Sequence, residues 1–147
     1  MYSIFQVANI FLELASMTPK KLQKLCYYAQ GWSLGITREK LFSEDLEAWV
    51  HGPVSPALYD KYKCYGYNEI PKSNGNEIID EELRGIVEQI YRIYGNLSGD
   101  QLEQMTHLEE PWKKARKGLQ PWEASSNIIK VSDMMEYFNN KYREKEA

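Results

Sequence analysis

Cysteine and histidine are scarce in this chain of 147 residues, with two of each. Cys26 and Cys64 are too few and too far apart for a metal-ligand spacing. There is no His-x-x-x-His or Cys-x-x-Cys pair, no glycine-rich phosphate loop and no nucleophile elbow. A continuous apolar run of about 18 residues, the length a membrane span needs, is also missing. The opening residues Met1-Tyr2-Ser3-Ile4-Phe5-Gln6 lack the basic start and cleavage pattern of a secretory signal. Basic residues are not in surplus. With a net charge of −3 and a pI near 5.5, nucleic acid is disfavoured as the main ligand, since phosphate binding needs excess Lys and Arg on one face. These absences together predict a reduced, cytoplasmic protein without a cofactor. A local basic patch remains at Lys113, Lys114, Arg116 and Lys117.

What is present is a globular composition, 43% hydrophobic and 27% charged, in a chain of single-domain length. A chain of this size can bury roughly two-thirds of its unfolded surface, so it needs no metal or disulfide staple. Apolar residues recur at helical spacing over 3–15. Thr18 and Pro19 read as N-cap and first position of a second helix. That helix carries Leu22, Leu25, Cys26, Ala29 and Trp32 on one stripe, with Lys20, Lys21, Gln23, Lys24 and Gln30 on a polar side and Gly35 as its stop. Leu41-Phe42 and Leu46-Glu47-Ala48-Trp49 read as short extended segments. Ser55-Pro56 opens a helix to about Cys64, ended by Gly66, and a turn-rich connection spans 67–79. Asp80-Glu81-Glu82 starts another helix that stops at Gly95. Ser98 with Gln101 fits a capping box. Pro111 opens a short turn, 118–130 reads as loop, and Val131 to Tyr142 forms a last amphipathic helix. The fold class is mainly α: one compact domain over 1–147, of about six or seven helices, with a small two-stranded element near residues 41–49.

Two runs hold both histidines beside proline and tryptophan: Glu47-Ala48-Trp49-Val50-His51-Gly52-Pro53-Val54-Ser55-Pro56 and Thr106-His107-Leu108-Glu109-Glu110-Pro111-Trp112. Proline fixes φ and glycine frees it, so the first run reads as a rigid turn. His51 and His107 could meet Glu109 or Glu110 as metal ligands, although a site needs three or four converging donors. Ser55 or Cys64 could pair with His51, with Glu47 orienting the imidazole, as a small hydrolase would require. The plainer reading has both imidazoles tying loops to backbone, shielded by Trp49 and Trp112. The helix pair around Leu97 suggests a helix-turn-helix, but Asp100, Glu103 and Glu109 would repel phosphate. DNA recognition therefore ranks below protein recognition.

Leu22-Gln23-Lys24-Leu25-Cys26-Tyr27-Tyr28-Ala29-Gln30-Gly31-Trp32 resembles the KLxYYAQGW helix of the Panacea-domain proteins, which include SocA-like antitoxins and phage-associated GepA-like proteins. Leu41-Phe42 with Glu47 to Val54 resembles that family's EAWxxGPV block, followed by Tyr59, Tyr65-Gly66 and Ile70. Leu97-Ser98 to Leu102, Thr106-His107 and Pro111-Trp112 resemble its LSxxxLxxxTHxxxPW block. Three blocks in order over about 18–117 make the likeness specific. The resemblance implies a bacterial or phage antitoxin that binds and neutralises a protein toxin encoded by an adjacent gene. A variant of that expectation is an adaptor delivering the toxin to a protease. The family supplies no catalytic residue, cofactor or metal to carry over. The expected partner-binding face comprises Trp49, His51, Pro53, Tyr59, His107 and Trp112.

Overall fold

The computed structural model describes residues 1–75 and 80–146. The end of the turn-rich connection, 76–79, lies outside the described residues. Seven α-helices are present among the described residues: α1 (Ile4–Leu14), α2 (Pro19–Thr37), α3 (Pro56–Tyr62), α4 (Glu81–Tyr94), α5 (Gly99–His107), α6 (Glu110–Ala115) and α7 (Val131–Glu146). Two strands, β1 (Glu47–Trp49) and β2 (Gly52–Val54), pair antiparallel, with Ala48 opposite Pro53. None of these helices is long and apolar enough to cross a membrane.

The helix starts follow from local chemistry. Ser3 with Gln6 and Ser98 with Gln101 form reciprocal capping boxes. Thr18 and Ser55 cap helices whose first residue is proline, where a missing N–H costs nothing. Asp80 accepts from the Leu83 amide at the head of α4.

Helix α2 is the axis of the molecule. Its most extensive contacts are with α7, and α1, α3, α4, α5 and β2 also lie against it. Gly35 is not the stop that the sequence suggests. The helix continues to Thr37, and Arg38 takes the left-handed conformation (φ 66°) that closes it. Gly35 serves packing instead. A Cβ there would lie 2.6 Å from the Phe138 backbone carbon, and one on Gly31 would strike the Phe138 ring. Two glycines one helical turn apart thus let α7 settle against α2.

The polar side of α2 is also mostly interior. Gln23, Lys24 and Gln30 are buried, each bonded to backbone of a neighbouring segment. Gln30 accepts from the Leu41 and Phe42 amides (2.7 and 3.2 Å) and donates to the Phe42 carbonyl (2.9 Å). Gln23 accepts from the Ser55 amide (2.9 Å) and donates to its carbonyl (3.0 Å). A buried amide left unbonded costs roughly 1–3 kcal/mol, so these side chains replace strand neighbours the sheet lacks.

The small sheet lies slightly downstream of its expected place. Phe42 pairs instead with Tyr2 through one parallel bridge, and β2 runs through the segment read as a turn. The reversal itself is at Val50 and His51. Pro53 is tolerated within a strand because Ala48, opposite it, turns its own N–H and C=O outward. They bond Asn127 O (2.8 Å) and the Arg116 guanidinium (3.0 Å). No ladder bond is asked of the proline nitrogen.

Candidate functional site

The two histidine-bearing runs, some fifty residues apart in sequence, meet in space. The Trp112 indole N–H donates to the Trp49 carbonyl at 2.8 Å. The His107 ring stacks on Trp112 with centroids 4.1 Å apart. Trp49 meets Tyr59 of α3 edge-on at 5.0 Å. His51 Nδ1 lies 3.1 Å from Glu103 Oε2, and the Pro53 carbonyl accepts from Lys24 Nζ at 3.2 Å.

The six residues divide by exposure. His51 and Tyr59 are exposed, and Trp49 and His107 are partly so. Pro53 and Trp112 are buried and support the surface from below. Trp49 and His51 form a ridge between two depressions. An open one of about 490 Å³ is bounded by Glu47, Val50 and Ala124 to Ser126. The other, about 180 Å³, lies between α2, α3 and the hairpin, with Leu58, Tyr59 and Tyr62 on its wall and Lys24 beneath.

Gly52 is required at the base of the ridge. Its φ of +108° is strained for any L side chain, and a Cβ would lie 2.6 Å from Lys24 Cε. Lys24 is wholly enclosed, and desolvation pushes its pKa down to about 7, against the pull of Glu103 and with the push of Lys20. Burial opposes the ionised form of Glu103. Hydrogen bonds from Lys20 and His51 outweigh it and hold that carboxyl below its usual value. Lys20 reaches Glu103 Oε1 at 2.7 Å and Asp100 Oδ1 at 2.9 Å. Desolvation lowers the pKa of His107, opposed by Glu103 and the Val50 backbone. Its Nε2 is buried without a hydrogen-bond partner among the described residues.

Several participants of the alternative chemistries are engaged elsewhere, while Cys64 is a free, exposed thiol. Ser55 is fully buried, and its hydroxyl caps α3 at the Leu58 amide. Glu47 accepts from the Trp49 indole at 2.9 Å instead of orienting His51. Glu109 faces the core, where it accepts from Tyr27 and Tyr28 at 3.1 and 2.8 Å. No cluster of three His, Cys, Asp or Glu side chains able to hold a metal occurs among the described residues. The basic patch is divided too: Arg116 is buried and donates to the Ala48, Gln120 and Glu123 carbonyls, while Lys113, Lys114 and Lys117 stay exposed.

Comparison with known proteins bears on the same region. The model of a protein family described as antitoxin SocA-like, Panacea domain, matches residues 22–113, from the buried face of α2 through α6. The chain belongs to this family. Antitoxin SocA of Caulobacter vibrioides (strain NA1000 / CB15N) is similar to it, 29% identical over 130 residues covering 76% of this chain and 69% of the relative. No solved structure matches.

The Panacea motifs take on physical meaning against this geometry. Tyr27 and Tyr28 of the first block hold Glu109 of the third. Gln23 and Lys24 hold Ser55 and Pro53 at the end of the second. Each block is thus a set of contacts to another block. Sequence reasoning missed Lys24, Glu103 and Glu109 as structural centres. The available signal was α2 itself: with apolar or aromatic residues at 22, 25–29, 32 and 34, too little circumference remains for a solvated face.

Proposed function

We propose that this protein is the antitoxin of a toxin–antitoxin pair and neutralises a cognate protein toxin by binding it directly. The family match over 22–113 carries this reading. Family membership supports the antitoxin role, and the exposed ridge supports direct binding. Trp49, His51 and Tyr59 present aromatic and polar surface on a support fixed by buried Pro53, Trp112 and Arg116. Rigid aromatic anchors with a polar rim are what dominant contacts in protein interfaces look like. His107 lies at the edge of the same face. On this reading the protein acts as a binder, with Ser55 occupied in capping α3, Glu47 on the Trp49 indole and Glu109 on Tyr27 and Tyr28.

The test is growth of cells expressing the adjacent open reading frame, with and without this protein. Arrest relieved by co-expression is the expected result. Toxicity that this chain cannot relieve would remove the reading. Toxin half-life measured in the rescued cells separates sequestration, in which toxin level holds, from delivery to a protease, in which it falls. Replacing both Trp49 and Tyr59 by alanine in folded protein is expected to abolish rescue; undiminished rescue would move the interface elsewhere.

A further inference from the structure

The depression between α2, α3 and the hairpin has an unusual charge character. The chain carries 21 acidic residues and a net charge of −3, yet no Asp or Glu lines this groove. Its basic members are Lys20, Lys24 and His51. Two of the three are already served, since Lys20 and His51 share Glu103 and Lys20 also takes Asp100. Lys24 is not. Its ammonium is fully buried, donates to the Pro53 carbonyl, and forms no ion pair among the described residues. Buried charge is normally matched by an opposite charge or several acceptors. Above Lys24 the walls are apolar and aromatic, formed by Trp49, Leu58 and Tyr59. The volume of about 180 Å³ suits one large side chain with its neighbour.

We propose that this groove receives an extended segment of the partner polypeptide in which an Asp or Glu adjoins an apolar side chain, the carboxylate facing Lys24 and the apolar group packing on Trp49 and Tyr59. The inference rests on the antitoxin reading for the identity of the partner, but the groove's preference stands or falls separately. Lys24, the groove cation without an ion pair among the described residues, selects a carboxylate, and the apolar walls select what lies beside it. A charge-assisted hydrogen bond to the enclosed ammonium gives the discrimination, because an uncharged analogue leaves the amine as poorly matched as before.

The test uses the full chain, labelled with nitrogen-15, and two probes with the same phenylpropyl skeleton, one charged and one neutral: 3-phenylpropionate and 3-phenylpropan-1-ol. The acid is expected to shift the Trp49 indole signal and the Lys24 and Tyr59 amides saturably, at a concentration roughly tenfold below that of the alcohol. Lys24→Met is expected to erase the difference between the probes while the alcohol response remains. Tyr59→Ala, at an exposed position, is expected to weaken both. Equal response to the two probes, no response, or shifts confined to another face would overturn the proposal. So would displacement of the acid by inorganic phosphate at matching concentration, which would point to a phosphate ligand. The probe comparison on unaltered protein decides even if Lys24→Met does not fold. Probe selectivity without growth rescue would remove the antitoxin reading alone; rescue without selectivity would remove the groove alone.

Discussion

Helix α2 carries two buried ionisable clusters along its length, and they are treated differently. Near its middle, Tyr27 and Tyr28 both donate to Glu109, so the buried acid meets donors from its own chain and is closed in by Tyr94 and Phe138. One turn earlier, Lys24 meets one carbonyl and faces a groove. The acid is internally complete and holds α2 to the start of α6. The base is completed only in part. A polar group finished within the fold serves the fold, and one left partly unmatched beside a cavity has capacity for something outside it.

The largest effect expected from breaking this contrast is on the acid side. Glu109→Ala leaves two buried hydroxyls without their acceptor and opens a cavity, and should cost about 4 kcal/mol in urea unfolding. A loss below about 1 kcal/mol would show that the tyrosines find other acceptors.

Next comes a pH dependence with opposite signs on the two sides of neutrality. Burial raises Glu109 from 4.5 to about 7, against the hydrogen bonds from Tyr28 and Tyr27. Between those values the folded chain keeps a proton that the unfolded chain has released. Its contribution is therefore full below pH 4.5 and is lost as pH rises through 7, by about 3 kcal/mol. Lys24 is lowered from 10.5 to about 7 by desolvation, so between those values the unfolded chain holds the extra proton. Its contribution is present at high pH and lost as pH falls through 7. The two together place a minimum of thermal stability near neutral pH. Glu109→Gln should flatten the acid limb and leave the alkaline one, as read by Tm across pH 4 to 10. A profile unchanged by that substitution would contradict the assignment.

A smaller effect is expected for Lys24→Met, which keeps the volume and removes the enclosed charge. Stability near pH 7 should change by less than about 1.5 kcal/mol, because apolar replacement of a buried charge is often neutral. Toxin neutralisation should nonetheless weaken, separating the two roles. Smallest of all is His51→Ala. Its contact with Glu103 is exposed, so folding should lose under about 1 kcal/mol. Its value lies in the contrast with Glu109→Ala: rescue of growth should suffer from the exposed substitution even though the fold does not.

Much of the fold was legible because helix boundaries are written locally. Thr18, Ser55 and Ser98 cap the helices expected of them. Trp49, His51 and Tyr59 were expected on one face with His107 and Trp112, and the Trp112 bond to Trp49 joins the two runs. What sequence did not disclose depends on partners distant in the chain. Gly35 reads as a stop until Phe138, a hundred residues later, is seen against it. Gln23, Lys24 and Gln30 read as a solvated face because periodicity records polarity and not the backbone each side chain will reach. Arg116 read as part of a basic patch for the same reason, although its guanidinium serves three carbonyls. Pro53 argued for a turn, since the outward bonding of Ala48 that admits it to a strand involves residues 116 and 127.

That dependence has a consequence for synthesis. The hairpin at 47–54 leaves the ribosome before the residues that complete its bonding. Trp112 must reach the Trp49 carbonyl, Arg116 the Ala48 carbonyl, Asn127 the Ala48 amide and Ile129 the Leu46 carbonyl. A nascent chain stalled before these residues has the ridge sequence without the ridge. On the antitoxin reading, protection therefore begins only once residues through Ile129 have been made, and fragments that end before Trp112 neither shield the cell nor compete with intact protein for toxin.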